Sequence, residues 1–420
     1  MFHLSKIESG LKFITAPAEG AESVTVMVFA GAGSRYENSK ERGISHFLEH
    51  MFFKGGKKYR NTKEVSAAID GVGGDFNAFT GKEYAGYYVK IAADQVDLAC
   101  DVLSDMLLYA TFPQEEIEKE RGVIIEEKRM YEDTPMYRAG WDFEELLFGD
   151  HPLGWDTIGT EEVIGSVNQA DFQSHKDEFY TPNNTVVTFA GNIDQARAKS
   201  LTEQYFGGLG GEHTREFAAL ENYGEKKVWL RTKNTEQSHL VLGVPSVPAR
   251  SEDHYAHKVL SIILGGNMSS RMFLNIREAK GLCYYISTDT DSYLDAGALT
   301  TRAGVDQSRL HEAISLIMEQ YNLIASKGIT EEELTQAKSY VKGKFTLSME
   351  DSEERAHFYG KQELLHGETF DVPAYLEKYD AVTKDQVDAL AMKLLGGDDY
   401  RLVVIGKEKD ESAITSLIIQ

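Results

Sequence analysis

The sequence predicts an α+β protein of two homologous halves, each a mainly antiparallel sheet packed with helices, the two halves facing each other. Three observations lead there. The chain has 420 residues, well beyond the ~150 of a typical domain. A weak internal repeat, offset by about 210 residues, returns the same order of elements in each copy. Within each copy two strands follow one another at hairpin spacing with long helices around them, which favours an antiparallel sheet over βαβ units. With 42% hydrophobic and 26% charged residues and only 8 prolines, the chain belongs with ordinary globular proteins and should fold throughout.

Taken in order, Ser23–Ala30 (SVTVMVFA) reads as an apolar strand, followed by a glycine-rich turn and a helical segment from about Gly43. Ser238–Val244 (SHLVLGV) repeats that order and leads into a helix from about Asp253. From Gly71 (GVGGDFNAFTGKEYAGYYVK) and again from Gly281 (GLCYYISTDTDSYLDAGALTTRAG) the pattern is strand, turn, strand, helix. Val167–Asp194 and Val382–Asp410 each read as a helix and then a terminal strand. Between the copies lies FGGLGGEHTREF, whose four glycines and few apolar residues fit a flexible linker. The expected organisation is therefore 1–206, a linker at 207–222, and 223–420.

The strongest chemical signal lies in GISHFLEHMFFKG, Gly43 to Gly55, which contains the inverted zincin pattern HxxEH as His46-Phe47-Leu48-Glu49-His50. On a helix His46 and His50 are i and i+4, so both imidazoles leave one face a turn apart and can share a metal ion. Glu49 sits where its carboxylate can reach a metal-bound water without replacing it, the position of a general base. A catalytic zinc usually takes three protein ligands. Pro113–Met130 (PQEEIEKERGVIIEEKRM) supplies candidates, because Pro near its start, acids in its first turn and bases at its end mark a helix with six glutamates. Glu120 and Glu127 are two turns apart on one face, about 10 Å, so one of them would ligate and the other would orient a histidine. Glu126 competes if the register shifts. GAGSRYE, Gly31 to Glu37, has glycines near a helix start but lacks GxxxxGK[ST] and is no phosphate loop.

The 44 Lys+Arg against 67 Asp+Glu give a formal charge of -23, which argues against a nucleic-acid surface and favours cationic partners such as basic peptides. Cys100 and Cys283 are far apart and outside any CxxC pattern, which indicates neither a disulfide framework nor a thiolate metal site. The N-terminus has no signal-peptide apolar stretch and no 18-residue apolar run occurs, so a cytoplasmic protein with no membrane association is expected.

With these residues in place the chain resembles the inverzincin peptidases, the family of pitrilysin, insulysin and the mitochondrial processing peptidase. In size and two-half organisation it looks most like single-length bacterial relatives of the processing peptidase beta subunit. The resemblance implies a zinc metalloendopeptidase that hydrolyses peptides or unfolded segments inside a closed chamber, with one zinc per chain. It places the third ligand at Glu127, about 77 residues after the second histidine, and makes Glu120 the supporting carboxylate. It makes GGDFNAFT, Gly73 to Thr80, the strand that pairs with substrate, with Asn77 and Ala78 at the peptide. It makes Arg277 and Tyr284 substrate-binding residues; from their surroundings alone they read as a helix-end cation and a strand aromatic. The second half has His257-Lys-Val-Leu-Ser where a second HxxEH would stand. Because one chain carries both sets of residues, a homodimer is expected. Two other readings use the same residues: a non-catalytic peptide-binding or assembly subunit of this fold, and a zinc hydrolase acting on something other than peptides, which would not need a pairing strand.

Overall fold

In the computed structural model, which describes residues 2–419, eleven strands form two sheets. The first is built from β1 (His3–Lys6), β2 (Lys12–Pro17), β3 (Ser23–Ala30), β4 (Asp75–Thr80), β5 (Ala85–Ala92) and β6 (Thr185–Gly191). The second uses β7 (Val228–Thr232), β8 (Gln237–Ser246), β9 (Cys283–Ser292), β10 (Gly297–Asp306) and β11 (Arg401–Gly406). Their orders are β1-β2-β6-β3-β5-β4 and β7-β11-β8-β10-β9. Apart from β1 the orders are the same, down to one parallel pair in each, β2 with β6 and β7 with β11. The sequence repeat is thus a duplicated sheet, mainly antiparallel, and the hairpins expected after Gly71 and Gly281 are β4–β5 and β9–β10.

The chain forms two compact units, and they do not follow chain order. One comprises Met1–Lys128, Asp156–Ala218 and Phe345–Ala374; the other comprises Arg129–Trp155, Ala219–Lys344 and Tyr375–Gln420. The division at 1–206 and 223–420 therefore needs correction, because each unit takes in one helix from the opposite end of the chain. Helix Ser352–His366 lies on β3 and β6 of the first sheet, and helix Pro135–Phe148 lies on β8 and β11 of the second. Residues 207–227 contain no helix or strand, but the segment is bound down rather than loose. The Arg35 guanidinium stacks 3.8 Å from the Phe217 ring, and Arg215 pairs with Glu41 and Glu178.

Each exchanged helix has sequence-level reasons for its limits and a reason for its seat. Helix Pro135–Phe148 starts with Pro at its first turn, where the missing N–H costs nothing, and turns Ala139, Phe143, Leu146 and Leu147 inward at helical spacing. Helix Ser352–His366 is capped by Asp351, which accepts from the Glu353 N–H, and it ends at Gly367 in the left-handed region. Both carry a buried carboxylate paired with a cation from the corresponding strand of the sheet. Lys12 on β2 reaches Glu363 at 2.5 Å, and Arg231 on β7 makes two hydrogen bonds of 2.5 and 2.8 Å to the fully buried Asp142, which also accepts from Arg138. Under helix Ser352–His366, Ile14, Ala16, Met27, Phe29, Val186 and Ala190 form one apolar face with Ala356 and Tyr359. Because the opposite faces of these strands are also buried, β3 and β6 read as near-continuous apolar runs, interrupted internally only by the buried Thr25 and Thr188, rather than alternating ones. No helix among the described residues is long and apolar enough to cross a membrane.

Gly360 is where the first exchanged helix comes closest to its sheet. A Cβ there would stand 2.2 Å from Phe29 Cε2 and 2.7 Å from Thr188 Oγ1, and Phe29 is fully buried with no room to yield. Gly360→Ala is therefore expected to lower unfolding free energy by about 1–3 kcal/mol through overpacking, measured by urea denaturation. Gly343→Ala, in helix Glu331–Ser348 with open space around it, should instead be neutral or stabilising by up to ~1 kcal/mol.

Candidate metal centre

The HxxEH segment forms helix Ile44–Phe52, whose buried face is Phe47, Leu48, Met51 and Phe52. Aromatic contacts hold it: Phe47 packs edge-on to Phe172, and Phe52 to Tyr87 and Tyr180. Its N-terminus is closed by an acid seven residues before its first residue. Glu37, buried, accepts from the Gly43 N–H at 2.7 Å and from the Ser45 N–H at 2.8 Å, satisfying helix donors that have no partner inside the helix. Burial pushes the Glu37 carboxyl up to about 7 despite these bonds. Gly43 itself requires glycine, at φ 96 with the Ile158 carbonyl oxygen 2.1 Å from where a Cβ would be.

The second helix spans Gln114–Asp133. It brings Glu127 Oε2 to 3.7 Å from His46 Nε2 and 3.5 Å from His50 Nε2. His46, His50 and Glu127 each offer one ligand atom, and these atoms all lie within 4.8 Å of one another; no other such group occurs among the described residues. Two imidazole nitrogens and one carboxylate oxygen, in partly buried surroundings, fit a zinc ion that keeps a fourth position open. Two helical turns away, Glu120 accepts at 2.9 Å from His50 Nδ1 and pairs at 2.6 Å with Lys54. The bond to Nδ1 leaves His50 Nε2 as the free nitrogen turned toward Glu127, the division of work expected between a ligand and a carboxylate behind it. His46 Nδ1 is buried without a partner. Glu49 Oε2 accepts at 2.6 Å from the hydroxyl of Thr80, the last residue of β4.

The electrostatics follow from crowding in a dry place. Burial, and then the neighbouring His50, depress His46 to about 3. Burial opposes charge on His50 as well, but the hydrogen bond it donates to Glu120 and the carboxylates of Glu49, Glu127 and Glu120 outweigh it and raise its pKa. Burial raises Glu49, with the Thr80 bond and His50 opposing and Glu127 adding, and it likewise raises Glu127. Glu120 ends below the usual carboxylate range, since its bonds to His50 and Lys54 overcome burial.

Asn77 and Ala78 lie on β4, the outermost strand of the first sheet, paired only with β5 among the described residues. Arg277 and Tyr284 are in the second unit. The Arg277 guanidinium rests 4.7 Å from the Phe273 ring centre, and Tyr284, on the outermost strand β9, is 77% exposed. His257 is a buried core histidine, bonded at 2.7 Å to Ser246. Sequence reasoning passed over three residues. Lys54 stood at i+4 from His50, a helical spacing that could have revealed it. Thr80 ends GGDFNAFT and Glu37 ends GAGSRYE; no local pattern marks the partner of either.

Residues 12–160 match the family described as Insulinase (Peptidase family M16), and residues 166–341 match the Peptidase M16 inactive domain. The chain is 36% identical over 398 residues to an uncharacterized zinc protease, YmxG, of Bacillus subtilis, covering 95% of this chain and 96% of that one. An uncharacterized zinc protease of Mycobacterium leprae is 36% identical over 406 residues, covering 95% and 90%. In fold the chain is similar to a crystal structure of a protease from Helicobacter pylori, with TM-score 0.87 at 20% identity over 97% of this chain and 99% of that one. A peptidase M16 inactive domain structure from Pseudomonas fluorescens gives 0.90 at 17% identity over 97% and 98%.

Two measurements follow from this geometry. Glu120→Ala should weaken zinc binding by about 10–100-fold by freeing the His50 ring, read by chelator competition. His257 is held down to about 3 by burial and by its neighbours His254 and Lys258. The unfolded chain takes up that proton below about 6.5 and the folded protein does not, so stability falls as pH drops from about 6.5 toward 3. Urea denaturation should show a slope up to ~1.4 kcal/mol per pH unit shallower in His257→Gln.

Proposed function

The chain belongs to the M16, or insulinase, family of peptidases, and on that footing we propose that it is a zinc metalloendopeptidase cutting peptides or unfolded segments. The observation that carries this reading is the convergence of His46, His50 and Glu127 ligand atoms within 4.8 Å, with Glu49 on the same helix. Zinc held by these three residues supplies Lewis acidity toward water and toward the scissile carbonyl. One zinc per chain is proposed, because the second repeat has no HxxEH.

The chain's own residues do the rest. Glu49 accepts the proton of the attacking water and passes it to the leaving amine. Glu120 holds the His50 ring with Nε2 forward. A substrate segment adds to the open edge of β4 by main-chain hydrogen bonds beside Asn77 and Ala78, which gives affinity with little demand on sequence. Arg277 and Tyr284 are assigned to substrate binding by the family resemblance. The acidic balance of the chain favours basic peptides by electrostatic attraction.

The test is mass-spectrometric cleavage of a mixed peptide pool by the wild type and by Glu49→Gln, each with its zinc content measured. The wild type should cut; the variant should keep its zinc and lose turnover by about 10²–10⁴-fold. If both leave every peptide intact with zinc bound, the non-catalytic peptide-binding reading replaces this one. A closed chamber is part of the proposal, and it admits only extended chains: a reduced, alkylated protein should be cut while its native form survives the same incubation.

A further inference from the structure

Strand alternation gives β4 two different faces. Phe76, Ala78 and Thr80 share one, where the Phe76 ring meets Phe53 at 5.8 Å and the Thr80 hydroxyl meets Glu49 at 2.6 Å. Asp75, Asn77 and Phe79 share the other, where Phe79 packs on Phe29 and on His357 of the exchanged helix. The end of β4 that carries Thr80 is therefore held from both sides. A second tie joins the same strand end to the same helix. The backbone N–H groups of Ser34 and Arg35 donate to the carbonyls of Gly81 and Lys82 in the β4–β5 turn, and the buried Arg35 side chain pairs with the buried Glu83. Two residues further along, Glu37 closes the N-terminus of helix Ile44–Phe52. The turn GAGSRYE thus clamps the turn after Thr80 to the start of the helix that carries Glu49.

We propose that Thr80 is a positioning residue for Glu49, its hydroxyl holding Oε2 so that Oε1 is the oxygen that takes the proton, and so that the base is set by the strand on which the peptide pairs. The proposal rests on the reading of Glu49 as general base. A glutamate side chain has three rotatable bonds, and a proton acceptor displaced by about 1 Å can lose about 10²-fold in rate. One donor fixed to a strand removes that freedom. Because β4 is an edge strand, a peptide paired along its open side adds main-chain hydrogen bonds to a strand end already held by its own neighbours, and stiffens the Thr80 hydroxyl further. Binding at β4 is in this way spent partly on orienting the reacting group, and that gain appears in kcat.

Valine and serine separate the hydroxyl from the methyl group. With zinc content and thermal unfolding recorded for each protein, steady-state kinetics on one peptide should give Thr80→Val a kcat about 10- to 100-fold below wild type with KM changed by no more than about twofold. Thr80→Ser should keep kcat within about threefold, since it retains the donor. In the Glu49→Gln background Thr80→Val should cost nothing further. A Thr80→Val enzyme with wild-type kcat overturns the proposal, and so does a Thr80→Ser enzyme as slow as Thr80→Val, which would make the methyl packing the cause. An active Glu49→Gln overturns the reading of Glu49 itself; an inactive Glu49→Gln beside an unimpaired Thr80→Val overturns the role of Thr80 alone.

Discussion

A sheet whose strands are apolar on both faces must be covered on both, and the rest of this structure depends on how that requirement is met. The chain covers one face of each sheet with helices near in sequence and the other with a helix drawn from the opposite repeat. A cost accompanies this, since Asp142 and Glu363 are charged groups taken out of water. Each is offset by a cation from the neighbouring strand, Arg231 or Lys12. The same duplicated solution appears twice because the two sheets share their strand order.

Rigidity gained there is used at the candidate metal centre. With β3 and β5 clamped between layers, β4 is a stable edge, and its last residue can place a hydroxyl on Glu49. The helix of HxxEH is fixed at its start by Glu37 and near its end by the Lys54–Glu120 pair. Three carboxylates, Glu49, Glu120 and Glu127, crowd two imidazoles in a partly dry place. Lys54 and His50 satisfy Glu120, whereas Glu49 and Glu127 are raised by burial and Glu127 raises Glu49 further. A divalent cation among the ring nitrogens and Glu127 is the charge that such a group of residues suits.

The parts of the site that could be read in the sequence are those whose geometry is local. His46, Glu49 and His50 lie within one and a half turns of a helix, and Glu120 and Glu127 repeat at two turns, so period alone puts each group on a face. What brought the two helices together, and chose Glu127 over Glu126, was the family resemblance; no periodicity reaches across that distance. Thr80 and Glu37 act through contacts with residues far along the chain or across a turn, and neither leaves a repeating pattern.

By itself, then, the sequence determined the duplicated order of strands and helices, the hairpins, and the shared face of His46 and His50 on helix Ile44–Phe52, because hydrophobic period and turn residues encode local conformation. Only the tertiary structure decided which sheet each amphipathic helix covers. The apolar stripe of Pro135–Phe148 demands burial but does not name its partner, and a fit such as Gly360 against Phe29 exists only once the backbones have met. The same holds for the hydroxyl on Glu49: a hydrogen bond between residues 31 apart in sequence is a property of the packed fold.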